Sequence, residues 1–210
     1  MANNPEANVE QLVKSKQRVA DHGEVFTPAH IVEAMLDLVK DESERIDSRF
    51  LEPACGEGNF LKQVLIRKLA TVHAKYGRNE FERRHYALLG LMCVYGIELL
   101  EDNAQSCREN LIEIFMQFIN DPADMVWERA ARKVVEVNIV QADALTMRCP
   151  DGSHIVFPEW GYIGRGKYQR RDLTQRSSFV GTLFEDLEQD EIFAPKASYP
   201  SMTVYEIAES

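Results

Sequence analysis

No stretch of the sequence reaches the roughly 18 uninterrupted apolar residues that a membrane-crossing helix needs. The opening residues, MANNPEANVEQ, lack both the basic and the apolar part of a secretory signal. A cytoplasmic location is the expectation. Cysteine is sparse: Cys55, Cys93, Cys107 and Cys149 lie far apart, with no C-x-x-C pair and no histidine at ligand spacing. That pattern argues against a zinc site and against a disulfide framework, so free, mostly buried thiols and no metal are expected. Internal repeats and low-complexity runs are missing as well. A basic excess is also missing, with 24 Lys and Arg against 34 Asp and Glu and a net charge of -10. A protein that grips DNA unaided usually carries surplus cations to displace counterions from phosphates. Nucleic acid as a partner therefore requires locally segregated charge or help from a second polypeptide.

What is present is an ordinary globular composition, 45% apolar and 28% charged over 210 residues, enough for one sizeable core. Residues 1–20 read as a polar helical extension, 21–160 as the core, and 161–210 as a short C-terminal segment with no separate target-recognition domain. Thr27 followed by Pro28 marks a helix start, and Ile31, Met35, Leu38 and Val39 form an apolar stripe on that helix. Phe50 and Leu51 begin a strand that runs into Gly56 and Gly58, and Phe60, Leu61, Val64, Leu65 and Leu69 give the next helix its buried face. VYGIEL predicts a second strand, VVEVNIVQADAL contains a third, and Asp151 and Gly152 turn the chain into a fourth at HIVF. Strands alternating with helices predict an α/β fold: a mostly parallel sheet covered by helices on both faces.

In such a sheet ligands bind at the carboxyl ends of the strands, where Gly56 and Gly58 stand. Glycines without Cβ atoms admit a ligand close to the main chain, although a G-x-G alone is also consistent with a tight turn. There is no third glycine at dinucleotide spacing and no G-K-[ST], which disfavours pyrophosphate. Glu52, just before the turn, points to a ligand with positive charge, such as the ammonium and sulfonium of S-adenosyl-L-methionine. Glu98 ends the second strand, where a carboxylate can accept from ribose hydroxyls or lie solvated; Asp143 ends the third, placed for an adenine amino group or for an N-cap.

FLEPACGEGNFL resembles motif I of the adenine-specific (N6) DNA methyltransferases of restriction-modification systems. GEVFTP resembles their N-terminal motif, and YGIELLEDN and NIVQADAL are similar to the two motifs that follow. The resemblance spans roughly residues 18 to 146. It implies a Rossmann-like class I methyltransferase fold, incomplete toward the C-terminus, with S-adenosyl-L-methionine as cofactor and DNA as substrate. Residue by residue, it implies that Phe26, Thr27 and Pro28 line the methionine end, and that Glu52, Ala54, Gly56 and Gly58 hold the methionine part. Phe60 would close the pocket, Glu98 take the ribose, Leu99 pack on adenine, and Asp143 with Ala144 read the adenine edge. Forty positions between Gly58 and Glu98 exceed what a minimal crossover needs, which implies an inserted helical segment near residues 80–90.

The family's N-P-P-Y or D-P-P-Y tetrapeptide is absent from this sequence. Its place falls on Phe157, Pro158, Glu159 and Trp160. There Pro158 could present a carbonyl, Glu159 an acceptor and Trp160 a stacking ring, or these residues could simply be core and surface. Arg165, Lys167, Arg170 and Arg171, with Arg176 beyond them, form a basic strip suited to phosphate or to pairing with the acidic residues 185–191. The expected activity is methylation of adenine N6 in DNA, alone or as a modification subunit with a partner that recognises the target. A degenerate, noncatalytic binding module is the alternative, and a protein or small-molecule acceptor stays open.

Overall fold

The computed structural model describes residues 15–22, 27–175 and 193–210. Among the described residues three short helices come first, α1 (Lys16–His22), α2 (Ala29–Asp37) and α3 (Lys40–Ser43), followed by β1 (Phe50–Glu52). The long helix α4 (Asn59–Tyr76) and α5 (Glu80–Met92) lead to β2 (Val94–Glu98), and α6 (Glu101–Ile119) and α7 (Met125–Asn138) lead to β3 (Ile139–Gln141). Thereafter come β4 (Val156–Gly164), β5 (Lys167–Gln175), β6 (Phe193–Ser198), β7 (Met202–Thr203) and α8 (Val204–Glu209). Among the described residues no helix is long and apolar enough to cross a membrane.

The first three strands form a parallel sheet in the order β1-β2-β3, with Glu52 beside Gly96 and Glu98 beside Gln141. Period-two alternation gives the sheet two different faces. Phe50, Val94 and Ile139 join the main core, which is built from Leu61, Val64 and Leu65 of α4, Leu88 and Leu91 of α5, Leu111 and Phe115 of α6, and Val134 and Val135 of α7. The segment near residues 80–90 is helical, as its spacing requires, because α5 carries the chain back to the amino end of β2. At the foot of β1 the buried Lys68 donates from Nζ to the carbonyls of Arg45 (2.7 Å) and Ile46 (3.1 Å). Burial pulls its pKa down to about 8, so the ammonium is still charged near neutrality.

The opposite face departs from expectation. Ile97 packs on Ala142 and Ile155 with Val140 and Phe157 alongside, and the Tyr95 hydroxyl donates to the Pro158 carbonyl at 2.8 Å. This face meets β4 where a helix was expected. HIVF therefore does not add a fourth parallel strand: β4 pairs antiparallel with β5, β5 pairs with β6 and β7, and these four strands form a second sheet. The local reason is a tight hairpin. Arg165 (φ 54°) and Gly166 (φ 73°) fill a two-residue loop whose left-handed backbone suits the twist of paired strands.

The other correction concerns α2. Ile31, Met35, Leu38 and Val39 are exposed, Leu38 by 86%, while Val32 and Leu36 are fully buried. The helix is rotated so that the i, i+4 pair Val32 and Leu36 meets the core, leaving the wider stripe outside. Pro28 is the N-cap of α2, one position later than the expected Thr27.

Candidate functional site

Beyond β1 the chain turns at Cys55, whose N–H donates to the Ile97 carbonyl at 3.0 Å, and the Gly58 N–H closes the turn on the Cys55 carbonyl at 2.8 Å. Gly56 (φ 53°) and Gly58 (φ 84°) are both left-handed. Their reasons differ. A Cβ on Gly58 would lie 2.7 Å from Cys107 Sγ, so this glycine lets the N-terminus of α4 approach α6 closely. Gly96 on β2 is bare for a similar reason, since a Cβ there would meet Cys55 Sγ at 2.8 Å. The Cys55 thiol hydrogen-bonds with Cys107, and that contact together with burial pushes its pKa well above the ordinary thiol value. All four cysteines are free.

A cavity of about 540 Å³ opens at the carboxyl ends of the three parallel strands. Thr27, Glu52, Ala54, Gly56, Phe60, Glu98, Leu99, Asp143 and Ala144 line it. Pro28 and Gly58 are adjacent in sequence but not in the lining, and Phe26 lies outside the described residues. Pro53, Cys55, Asn59, Leu100, Asn103, Ala142 and Leu145 also line it and were not named as site residues by the sequence, nor was Met35, which was expected only in the apolar stripe of its helix. Asn59 and Asn103 did lie inside the quoted motifs, one residue after the glycine turn and at the end of YGIELLEDN. Their amides carried no distinguishing pattern until the helix starts were placed.

The acidic residues differ in state. Glu98 is 7% exposed. Its Oε2 accepts the Gly56 N–H at 2.8 Å and its Oε1 accepts the Leu100 N–H at 3.0 Å. Two of the roughly four lone-pair positions of a carboxylate are thus taken, and the rest can face the cavity. Burial raises the pKa of Glu52, an effect that the Ala54 N–H only partly offsets. Such a carboxyl gains from an incoming cation. Asp143 Oδ1 accepts the Leu145 N–H at 2.8 Å, and this bond, with help from Thr146, holds its pKa below the usual carboxylate range. It stabilises a turn at the cavity rim; no helix begins there.

α1 also reaches this rim. Arg18 donates to both carboxylate oxygens of Asp102 at 2.8 and 3.2 Å and to Asn103 Oδ1 at 3.2 Å. The described part of the N-terminal extension is therefore tied to the first turn of α6.

Pro158, Glu159 and Trp160 are not at this cavity. Glu159 is ion-paired with Arg49, which precedes β1, and with Arg171. Burial alone would raise its pKa, yet the two guanidiniums bring it below the ordinary value. Trp160 Nε1 donates to Asn138 Oδ1 at 3.0 Å, while Asn138 Nδ2 donates to the carbonyls of Met92 (3.1 Å) and Val94 (2.9 Å). These partners belong to the amino ends of β1 and β2, opposite the cavity, because β4 runs antiparallel down the sheet. The structure thus does not bring this tripeptide, expected in place of the missing tetrapeptide, to the cavity.

The basic strip divides. Arg170 is paired with Asp172 at 2.7 Å and lies over the rings of Trp160 and Tyr199. Arg171 is held by Glu159. Arg165 and Lys167 are exposed at the hairpin tip. Arg176 and residues 185–191 lie outside the described residues.

A three-stranded parallel sheet, a left-handed glycine turn and acidic residues at successive strand ends are consistent with a methyltransferase-like α/β fold. The family model described as N-6 DNA methylase matches residues 9–124. The chain belongs to the N-6 DNA methylase family. Neither the comparison with curated proteins nor that with solved structures returned a match.

Proposed function

We propose that this chain is the S-adenosyl-L-methionine-binding part of a DNA adenine-N6 methyltransferase, acting as the modification subunit of a restriction-modification system together with a polypeptide that supplies target recognition and the base-side acceptor. The observation that carries this reading is the convergence of Glu52, Gly56, Glu98 and Asp143 on one cavity at the strand ends. The cavity's volume is within the usual range for cofactor sites.

The donor set fits this cofactor. Glu52, whose carboxyl is raised by burial, would face the ammonium and ionise fully against it. Gly56 allows close main-chain approach, and the free positions on Glu98 would accept from ribose hydroxyls. Leu99, 55% exposed, would cover one face of adenine. Bound there, the cofactor supplies an electrophilic methyl group on its sulfonium. The tetrapeptide that supplies the acceptor and stacking ring for an adenine amine in this family is absent from the sequence, and Pro158, Glu159 and Trp160 are not in the cavity lining.

That gap favours a second reading, a binding module that takes the cofactor without turnover. Titration calorimetry with S-adenosyl-L-methionine tests the shared part: saturable binding by the wild type, lost in Glu52→Gln, is expected, and no heat at millimolar cofactor would overturn both readings. Transfer of radiolabelled methyl to mixed-sequence DNA, with and without the products of neighbouring genes, separates them. Binding without incorporation under either condition leaves the module.

A further inference from the structure

We infer that Asn103, held by Arg18 of α1, is the donor that reads the carboxylate of the cofactor, with Arg18 as its positioning residue. The inference rests on the functional reading above for the identity of the ligand; the clasp between α1 and α6 is a property of the fold.

The charge of the cavity poses the question. Among the described residues its wall holds three carboxylates, Glu52, Glu98 and Asp143, and no Lys, Arg or His. S-adenosyl-L-methionine brings an ammonium and a sulfonium that suit those acids, but also a carboxylate that they repel. That group needs a neutral donor. The side chains of the wall with neutral N–H or O–H groups are Thr27, Asn59 and Asn103. Thr27 is exposed and Asn59 half-buried, whereas Asn103 is 1% exposed. A hydrogen bond is stronger where water is excluded, so the buried amide is the best placed of the three.

The position of Asn103 on α6 points to the same end of the ligand. Asn103, Cys107 and Asn110 recur at i, i+4 and i+7 and share one helix face. Along that face Cys107 Sγ lies against Gly58, and Asn110 Nδ2 donates to the Glu57 carbonyl at 2.9 Å. The face thus follows the glycine turn, and Asn103 is its cavity end, on the side of the Gly56 main chain where the functional reading puts the methionine half.

Arg18 decides which end of the amide a ligand meets. A guanidinium can only donate, so the atom 3.2 Å from its Nη2 is the amide oxygen. Nδ2 is then the donor end, and a cation drawing on Oδ1 makes its hydrogens stronger donors. Arg18 is itself neutralised by Asp102, at 2.8 and 3.2 Å, so it acts by orienting and polarising the amide rather than as a counter-charge. Lysine would keep the charge but not the planar fork that grips Asp102 and Asn103 together.

The test compares, by titration calorimetry on the full chain, S-adenosyl-L-methionine with its decarboxylated analogue, which keeps the ammonium and the sulfonium. Arg18→Lys and Asn103→Asp are the variants; the second keeps the side-chain shape and the bond to Arg18 but replaces the donor by another acceptor. Wild type is expected to prefer the carboxylate-bearing compound by at least about tenfold. Arg18→Lys should cut that preference at least about threefold, and Asn103→Asp should abolish it. Both variants should bind the analogue no more weakly than wild type does, which a merely structural role would not give. Equal affinity of wild type for the two compounds, a preference unchanged in either variant, or a variant that weakens both compounds alike overturns the inference and leaves the cofactor reading standing. Wild type that binds neither compound removes that reading and the inference with it.

Discussion

Glu98 and Gly56 are 42 residues apart in the chain and joined by a 2.8 Å hydrogen bond from the glycine N–H to the carboxylate. The bond fixes the left-handed turn after β1 against the end of β2, so the floor of the cavity is shaped before any ligand arrives. Preorganisation of this kind lowers the ordering cost of binding.

Glu98→Ala should therefore lose two things together. Leaving the N–H groups of Gly56 and Leu100 without their acceptor should cost about 1–3 kcal/mol in chemical denaturation, and calorimetry should show cofactor affinity falling at least about tenfold. Loss of affinity with unchanged stability would mean that the clamp is dispensable.

Glu52 makes a pH-dependent prediction. Burial raises its carboxyl pKa in the folded chain above the ordinary glutamate value, so the folded state binds more protons than the unfolded state between those two pKa values. That stability is fully present below the unfolded pKa and is lost as pH rises through the folded one. Glu52→Gln should thus melt higher than wild type at neutral pH while binding the cofactor more weakly. In the wild type, affinity should fall on acidification at a higher pH than an unperturbed glutamate would give.

Gly58 is predicted to matter through packing. Gly58→Ala meets Cys107 Sγ and must hold φ 84°, a combination expected to cost about 1–3 kcal/mol. Adding Cys107→Ala should recover the steric share and leave the backbone strain, giving a nonadditive double-mutant cycle in denaturation. Cofactor affinity of the folded single mutant should stay near that of wild type.

Trp160 should behave as a core residue. Trp160→Phe leaves the buried Asn138 Oδ1 without its donor and should lower stability by about 1–3 kcal/mol with no change in cofactor affinity. A base-stacking role predicts the reverse: reduced methyl transfer in a protein of unchanged stability.

Local pattern carried the reading as far as local physics reaches. The helices α4 and α5, the three parallel strands and most of the cavity lining were legible because each depends on period, turn chemistry or the residue that ends a strand. The face of α2 was not, since Ile31, Met35 and Leu38 satisfy helical periodicity as well as Val32 and Leu36 do. Only the neighbouring α4 selects between the two stripes. Asn59 and Asn103 were missed because a polar residue in a first helical turn has no mark to show which way it faces.

By itself the sequence determined where β1 turns on bare main chain and which carboxylates end the strands, since backbone freedom at glycine and alternation along a strand are properties of a few adjacent residues. Tertiary structure alone decided that Glu98 grips Gly56, that β4 folds back antiparallel, and that Pro158, Glu159 and Trp160 stand at the far end of the sheet. Those outcomes depend on which distant surfaces pack together: an edge residue such as Leu51 carries the same side chain whether or not another strand lies beside it.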